Sequence, residues 1–119
     1  MSDQKETMRT ERDYLGDVQI PNNMLFGVNT LRGVQNLTIS PRSVGSNPYF
    51  STAFAHCKWA AALANFDLKV ITEAQKDAIA QACGEIADGQ HESSLVVDML
   101  EGSGGTSSNM NFNEVIANR

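Results

Sequence analysis

Between Pro48 and Leu68, apolar side chains fall at Phe50, Phe54, Cys57, Ala61, Ala64 and Leu68. The intervals of 4, 3, 4, 3 and 4 residues trace one stripe along a helix and are incompatible with the two-residue period of a strand. Ala53, Ala55 and Ala60 to Ala62 add helix propensity and small volume, so a second helix can approach closely. One follows almost at once. Thr72-Glu73-Ala74-Gln75 reads as a capping box, with Thr72 as N-cap and Gln75 reaching back to its amide. The helix it opens carries Ile79, Ala82 and Ile86 on one face and is expected to end at Gly89, a residue suited to the position after a C-cap. Gly84 inside it costs about 1 kcal/mol of propensity, which points to a tight contact there. The short 68–72 link makes the two helices an antiparallel pair.

The flanks are less regular. Residues 1–8 are polar and expected to fray. From Arg9 to Gly45 the chain reads as an irregular arm, because Pro21, Gly27 and Gly33 interrupt its apolar residues Val18, Ile20, Leu25, Phe26 and Val28. A short strand near 17–20 and a brief helical turn from Thr30 to Gln35 are the regular pieces expected in it. His91 to Met99 is again irregular, with Leu95, Val96 and Val97 as a buried extended strip, and a third helix starts near Ser107 or Ser108. The expected fold is mainly α: an irregular arm, a helical hairpin and the start of a third helix.

Composition narrows the function classes. Hydrophobic residues make up 41% and charged residues 19% of the 119, as in a globular core rather than a disordered chain. Fourteen acidic against nine basic residues give a net charge of −5, and the basic residues are scattered. That argues against nucleic acid or an anionic membrane as partner, since both require clustered Lys and Arg. No apolar run approaches the ~20 residues that span a bilayer. The opening Met-Ser-Asp-Gln-Lys-Glu-Thr lacks the apolar segment of a secretion signal, so a cytoplasmic location is the default expectation. Cys57 and Cys83 both sit in alanine-rich helical patterns, where a small buried hydrophobe is the expected role. No metal-ligand spacing surrounds either of them.

One segment carries chemistry. Residues 102–108, Gly-Ser-Gly-Gly-Thr-Ser-Ser, form a glycine-rich turn that runs through three hydroxyl residues into the third helix. A helix N-terminus offers unpaired N–H groups and the positive dipole end, which suit a carboxylate or phosphate. A flexible linker is the rival reading of such a stretch. The asparagines that follow weigh against it: Asn109, Asn111, Asn113 and Asn118 are poor helix formers, so their amides are expected to serve partners beyond the helix. There is no Gly-Lys-Ser/Thr and no GxGxxG spacing to support nucleotide binding. Glu114 reads as a complement to the helix dipole, Asp98 and Glu101 as solvated turn acids, and His91 as exposed. No nucleophile–base pair and no metal cluster stands out. From residues alone, the chain is a helical module presenting an anion-binding turn.

Gly104-Gly-Thr-Ser-Ser-Asn-Met-Asn-Phe-Asn-Glu-Val-Ile-Ala-Asn-Arg119 resembles a motif of the aspartase/fumarase superfamily, Gly-Thr-Ser/Gln-x-Asn-Met-Asn-x-Asn-Glu-Val-x-Ala-Asn, near the end of that family's N-terminal domain. Arg9-Thr-Glu-Arg-Asp-Tyr-Leu-Gly16 is similar to its opening segment. Phe26-Gly-Val-Asn-Thr-Leu-Arg32, Asn36-Leu-Thr-Ile-Ser40 and Lys58-Trp-Ala-Ala-Ala62 with Asn65 follow in the family's order. Thr30-Leu31-Arg32, Thr106-Ser107 and Val97-Asp98 look more like the aspartase branch than the fumarase branch. Asn29 departs from the His usual in aspartases, and Ser103 from a usual Gly.

The resemblance implies that residues 1–119 are an N-terminal lyase domain, truncated before a central helical bundle. It implies elimination of ammonia from L-aspartate to give fumarate, without metal or organic cofactor, in a homotetramer whose sites are shared between subunits. Fumarate hydration and a non-catalytic anion-binding module are the alternatives. By resemblance Thr106 contacts a substrate carboxylate, Ser107 and Asn109 support that contact or the turn, Gly105 lets the backbone approach, and Arg32 shapes the carboxylate environment or forms a structural ion pair. The family's catalytic serine lies downstream of this segment, so no residue here is expected to be catalytic and the segment alone is expected to be inactive.

Overall fold

The computed structural model describes residues 7–119. Two strands, β1 (Met8–Asp13) and β2 (Gly16–Pro21), are followed by helices α1 (Val28–Asn36), α2 (Pro48–Asp67), α3 (Glu73–Ala87) and α4 (Thr106–Asn118). Short 3-10 turns at Val44–Ser46 and Glu92–Ser94 lie between them. The fold is mainly helical, as the sequence leads one to expect. The fraying expected of residues 1–8 falls, for residues 1–6, outside the described span, and Met8 already pairs with Pro21.

The arm is not irregular. β1 and β2 form an antiparallel hairpin with Asp13 opposite Gly16, so the expected strand at 17–20 has a partner that the sequence pattern hides. β2 alternates in the ordinary way and buries Val18 and Ile20. In β1 the half-buried positions are Arg9, Glu11 and Asp13, and each is held by polar contacts rather than by apolar packing. Arg9 donates to the carbonyls of Pro21, Met24 and Phe26, Glu11 accepts from the Val28 amide, and Asp13 accepts from Arg32. The expected helical turn at 30–35 is the centre of the nine-residue α1.

α2 opens on Asn47, whose side chain accepts from the amides of Tyr49 and Phe50, with Pro48 as its first residue. The capping box of Thr72 and Gln75 starts α3 as expected, and Gly89, at φ 86°, follows its end. Thr52 near the start of α2 donates to the carbonyl of Ala87 at the end of α3, so the pair is antiparallel. The Trp59 ring lies against Gly84, the contact that its missing side chain permits.

The stripe read along α2 is displaced. Ser51, Ala55 and Ala62 are its buried residues, while Cys57, Ala61, Ala64 and Leu68 are exposed. Alanines lie nearly all round this helix, so the spacing specifies a helix without selecting the face. Cys57 is accordingly an exposed thiol, whereas Cys83 is buried as expected. Leu95 and Val97 form the expected buried strip, accepting amide protons from Gly45 and Val44. A side chain at Gly45 would lie 2.7 Å from the carbonyl oxygens of Glu92 and Leu95, so only glycine fits there. The core gathers Ile20, Val44, Ile86, Leu95, Val97, Phe112 and Val115, with Phe54 stacked on Phe112 at 4.4 Å.

Candidate functional site

α4 begins at Thr106, one or two residues before the start expected from sequence. Gly104 and Gly105 precede it at φ 67° and 97°, a left-handed pair that L side chains rarely adopt, and no atom lies within 4 Å of where their side chains would project. The turn is therefore open to solvent on the side of these two glycines.

Three of its amides are paired, while that of Thr106 has no partner among the described residues. Glu101 accepts from the amides of Gly105 and Ser108, and Ser103 Oγ accepts from the Ser107 amide at 2.9 Å. Ser103 in turn donates to Glu101 at 2.7 Å. Glu101 is thus a half-buried cap and not the solvated turn acid expected from sequence. Desolvation would raise its pKa, but the hydrogen bonds from Ser103 and the turn's amides outweigh it and hold the pKa below the ordinary value.

Asp98 departs from expectation more strongly. It is 7% exposed and accepts from the amides of Ile39, Ser40 and Leu100 and from the Ser40 hydroxyl. Led by the Ser40 amide, these bonds overcome desolvation and hold its pKa at about 2. His91 is half-buried rather than exposed, with its ring 2.6 Å from Glu85. Glu85 also receives two bonds from Arg119, and these, with His91, bring its pKa to about 2.

Glu114 does more than complement its own helix. Its carboxylate accepts from the amides of Gly27, Asn29 and Thr30 at 2.7, 2.9 and 3.0 Å, while Glu11 takes that of Val28. Two carboxylates from distant segments therefore cap α1, and Glu114 ties it to α4. Three of the four α4 asparagines find the partners their cost in a helix implies, Asn109 among them through Lys58, while Asn113 is exposed with no partner among the described residues. Asn111 is fully buried, accepts from the amides of Val96 and Val97 and donates to the carbonyl of Ser94. Asn118 reaches the carbonyl of Leu25.

The first turn of α4 and one face of α1 enclose an open cleft of about 590 Å³. Arg32, Thr106 and Ser107 line it together, as do Asn29, Ser103 and Leu15 at the hairpin tip, which the sequence did not single out for this place. Thr106 is exposed, and its hydroxyl has no hydrogen-bond partner among the described residues. Arg32 donates to Asp13 at 3.1 and 3.3 Å and to the carbonyl of Gly16. Of its two expected roles it fills the structural ion pair while remaining in the cleft wall, and it is the main cause of the lowered Asp13 pKa. Gly105 shapes the turn but is not in the wall. Asn109 is not brought to the cleft either; it accepts from Lys58 on α2. A larger groove of about 870 Å³ between α2, α3 and the end of α4 is lined by alanines and isoleucines together with Lys58, Asn65, Gln75, Gln81, Asn113 and Arg119, and carries no hydroxyl side chain. Of these two, the smaller cleft is the one with hydroxyl donors.

Comparison with known proteins supplies a family for this arrangement. A family model described as "Lyase" matches residues 16–119. Aspartate ammonia-lyase from Helicobacter pylori is 45% identical over 111 residues, covering 93% of this chain and 24% of the relative. Class II fumarate hydratase from Halobacterium salinarum is 43% identical over 114 residues, covering 96% of this chain and 24% of the relative. Among solved structures, fumarate lyase:delta crystallin from Brucella melitensis superposes with a TM-score of 0.89 at 44% identity, over 93% of this chain and 26% of that one. The chain thus spans about a quarter of the length of the curated relatives it matches. It belongs to the lyase family, within the aspartase/fumarase superfamily.

Proposed function

We propose that this chain forms one wall of the active site of an aspartate ammonia-lyase, which eliminates ammonia from L-aspartate to give fumarate. The observation that carries the reading is the Thr106 hydroxyl. It is exposed, without a partner among the described residues, at the head of α4 in a cleft shared with Ser107 and Arg32. The sequence around it is the segment that resembles the superfamily's substrate motif.

Thr106 donates to a carboxylate oxygen of the substrate. When a base supplied outside this segment removes the Cβ proton, that carboxylate becomes an aci-carboxylate with a second negative charge. The C–N bond then breaks, its electron pair leaves with ammonia, and the carbanion pair forms the double bond of fumarate. A hydrogen bond to the more highly charged oxygen is stronger in the transition state than in the ground state, so it accelerates the step. Removing one such donor costs roughly 10²–10³ in kcat. Arg32, fixed by Asp13 and the Gly16 carbonyl, adds positive potential without leaving its ion pair.

The natural gene product carrying Thr106→Ala is expected to lose kcat by about that factor while keeping its helical circular dichroism, and Thr106→Ser is expected to retain most activity. Unchanged kcat in Thr106→Ala refutes the assignment. On this reading the natural protein is a homotetramer with sites shared between subunits, and residues 1–119 alone are expected to release no fumarate from L-aspartate.

A second reading, hydration of fumarate to L-malate, is favoured by the 43% identity to a class II fumarate hydratase. Parallel assays with L-aspartate and L-malate separate the two, and turnover of malate alone removes the ammonia-lyase reading. A non-catalytic module that captures a small anion at the same turn is the remaining alternative, and turnover of either substrate removes it.

A further inference from the structure

We infer that the groove between α2, α3 and the end of α4 is a docking surface for a later segment of the natural chain. Its occupant is a helix from beyond Arg119 that lies along the groove and sets a carboxylate against Lys58. The inference rests on the reading of residues 1–119 as part of a longer lyase and adds where the rest of that chain is held.

The groove is a concave surface of about 870 Å³ with Ala61, Ala78, Ile79 and Ile116 in its walls. Ala61 belongs as well to the stripe of Cys57, Ala61, Ala64 and Leu68 that α2 leaves exposed. Leu68 and Val70, at the foot of that helix, are 74% and 68% exposed. α2 is therefore apolar both on the face that meets α3 and on a face that is left uncovered. A helix that is apolar all round belongs inside a larger body. The alanines on its open side let one more helix approach as closely as α3 does.

Charge in the groove specifies what the occupant carries. Lys58 is half-buried, donates to Asn109 and lies 5.6 Å from the centre of the Phe54 ring. Among the described residues it forms no ion pair with a carboxylate. No acidic side chain lines the groove, and its other cation, Arg119, is already bonded to Glu85. A helix laid over the groove takes the Lys58 ammonium further out of water, which is unfavourable unless the covering surface supplies an opposite charge. An occupant with a carboxylate at that point is thereby favoured over a purely apolar one.

The same chain supplies this occupant more readily than a second copy does. The residues matched make up 24% of the Helicobacter pylori aspartate ammonia-lyase, so most of a protein of that length lies outside them. Ile116, Ala117 and Arg119 carry α4 along the groove wall, so chain leaving α4 starts beside the groove. A segment tethered in this way acts at an effective concentration of roughly millimolar, without an encounter between molecules.

The test is zero-length cross-linking of the natural gene product with a carbodiimide, which joins an amine to a carboxylate in contact with it. The expected product is an amide between Lys58 and an Asp or Glu beyond residue 119, identified by peptide mass spectrometry in protein that still migrates at monomer mass under denaturing conditions. Lys58 linked at dimer mass, linked within residues 1–119 or left unlinked overturns the inference. Thiol labelling reads coverage without relying on Lys58. Ala78→Cys in the groove wall is expected to react about 100-fold more slowly than Asp77→Cys, whose position on α3 is 65% exposed, because it reacts only on local opening. Equal rates overturn the inference. Lys58→Met is expected to raise the Ala78→Cys rate about tenfold by leaving the partner carboxylate unpaired, whereas Lys58→Arg leaves it low. An unchanged rate in Lys58→Met overturns the ion pair. None of these readouts needs substrate, so their failure leaves the ammonia-lyase reading to the turnover assays.

Discussion

Asn111→Ala is the most informative single perturbation of this fold. The Asn111 side chain has no exposed surface and makes three hydrogen bonds to the backbone of the 94–97 strip. Alanine leaves the amides of Val96 and Val97 and the carbonyl of Ser94 without those partners. Val97 and Ser94 are buried, so water cannot replace what is lost there. At about 1–3 kcal/mol for each buried group left unsatisfied, the two cost about 2–6 kcal/mol. Half-buried Val96 adds less. That is a large share of the ~5–15 kcal/mol that holds a domain of this size together. With an m-value of about 1–3 kcal/mol/M, the urea midpoint is expected to fall by about 0.7–6 M, folding being lost at the upper end. Asn111→Asp separates the contributions, because it keeps the acceptor for the two amides while placing an oxygen against the Ser94 carbonyl. It is expected to be destabilised as well. A loss below about 1 kcal/mol in Asn111→Ala would refute the claim that this amide is the principal tie between α4 and the strip, since even one buried unsatisfied group costs that much.

Two further outcomes test the core and the charged loops. Phe112, fully buried and stacked on Phe54, is expected to cost about 3–5 kcal/mol when replaced by alanine, read as a drop in the urea midpoint, and a change within ~1 kcal/mol would contradict its central place. Asp98 has a folded pKa of about 2, below its unfolded value of about 3.9, so its ionised form stabilises the fold fully above roughly pH 5 and that contribution is lost as pH falls through the window down to about 2. Glu85 acts in the same direction and window. Thermal melts between neutral pH and pH ~2 should show Asp98→Asn losing less stability on acidification than wild type, and identical slopes would show that the carboxylate is not linked to folding.

What the sequence revealed follows from how local each interaction is. The capping box of Thr72 and Gln75 was legible because both partners lie within one helical turn and its residue types have few other uses. α3 and its end at Gly89 followed from it. The face of α2 was not legible, because alanines leave it apolar nearly all round and only the position of α3 selects Ser51, Ala55 and Ala62. β1 was hidden for a different reason. Its inward residues are Arg9, Glu11 and Asp13, so the alternation that marks a strand is polar on both sides. The cost of the α4 asparagines pointed to partners beyond the helix, and the structure supplies them for Asn111 at Ser94, Val96 and Val97 but not for the exposed Asn113. Glu114 and Asp98 could not be read, since apart from the Leu100 amide beside Asp98 the amides they cap lie far away in the chain, 87 residues in the case of Gly27.

Those distant caps also bear on the acidic balance of the chain. On counting alone, a net charge of −5 would argue against a dianionic substrate. Glu11, Asp98, Glu101 and Glu114, however, each have backbone amides for partners, and Asp13 has Arg32. A carboxylate bonded to oriented N–H groups sits opposite fixed partial positive charge, so much of its field is cancelled close by. Five of the fourteen acidic residues are thus bonded to backbone amides, and one of them, Asp13, is also paired with Arg32 of the cleft wall. Of these, only Glu101 bonds to the amides flanking Thr106 and Ser107. The local arrangement of amides, and not the sum of charges, decides whether this cleft admits a carboxylate.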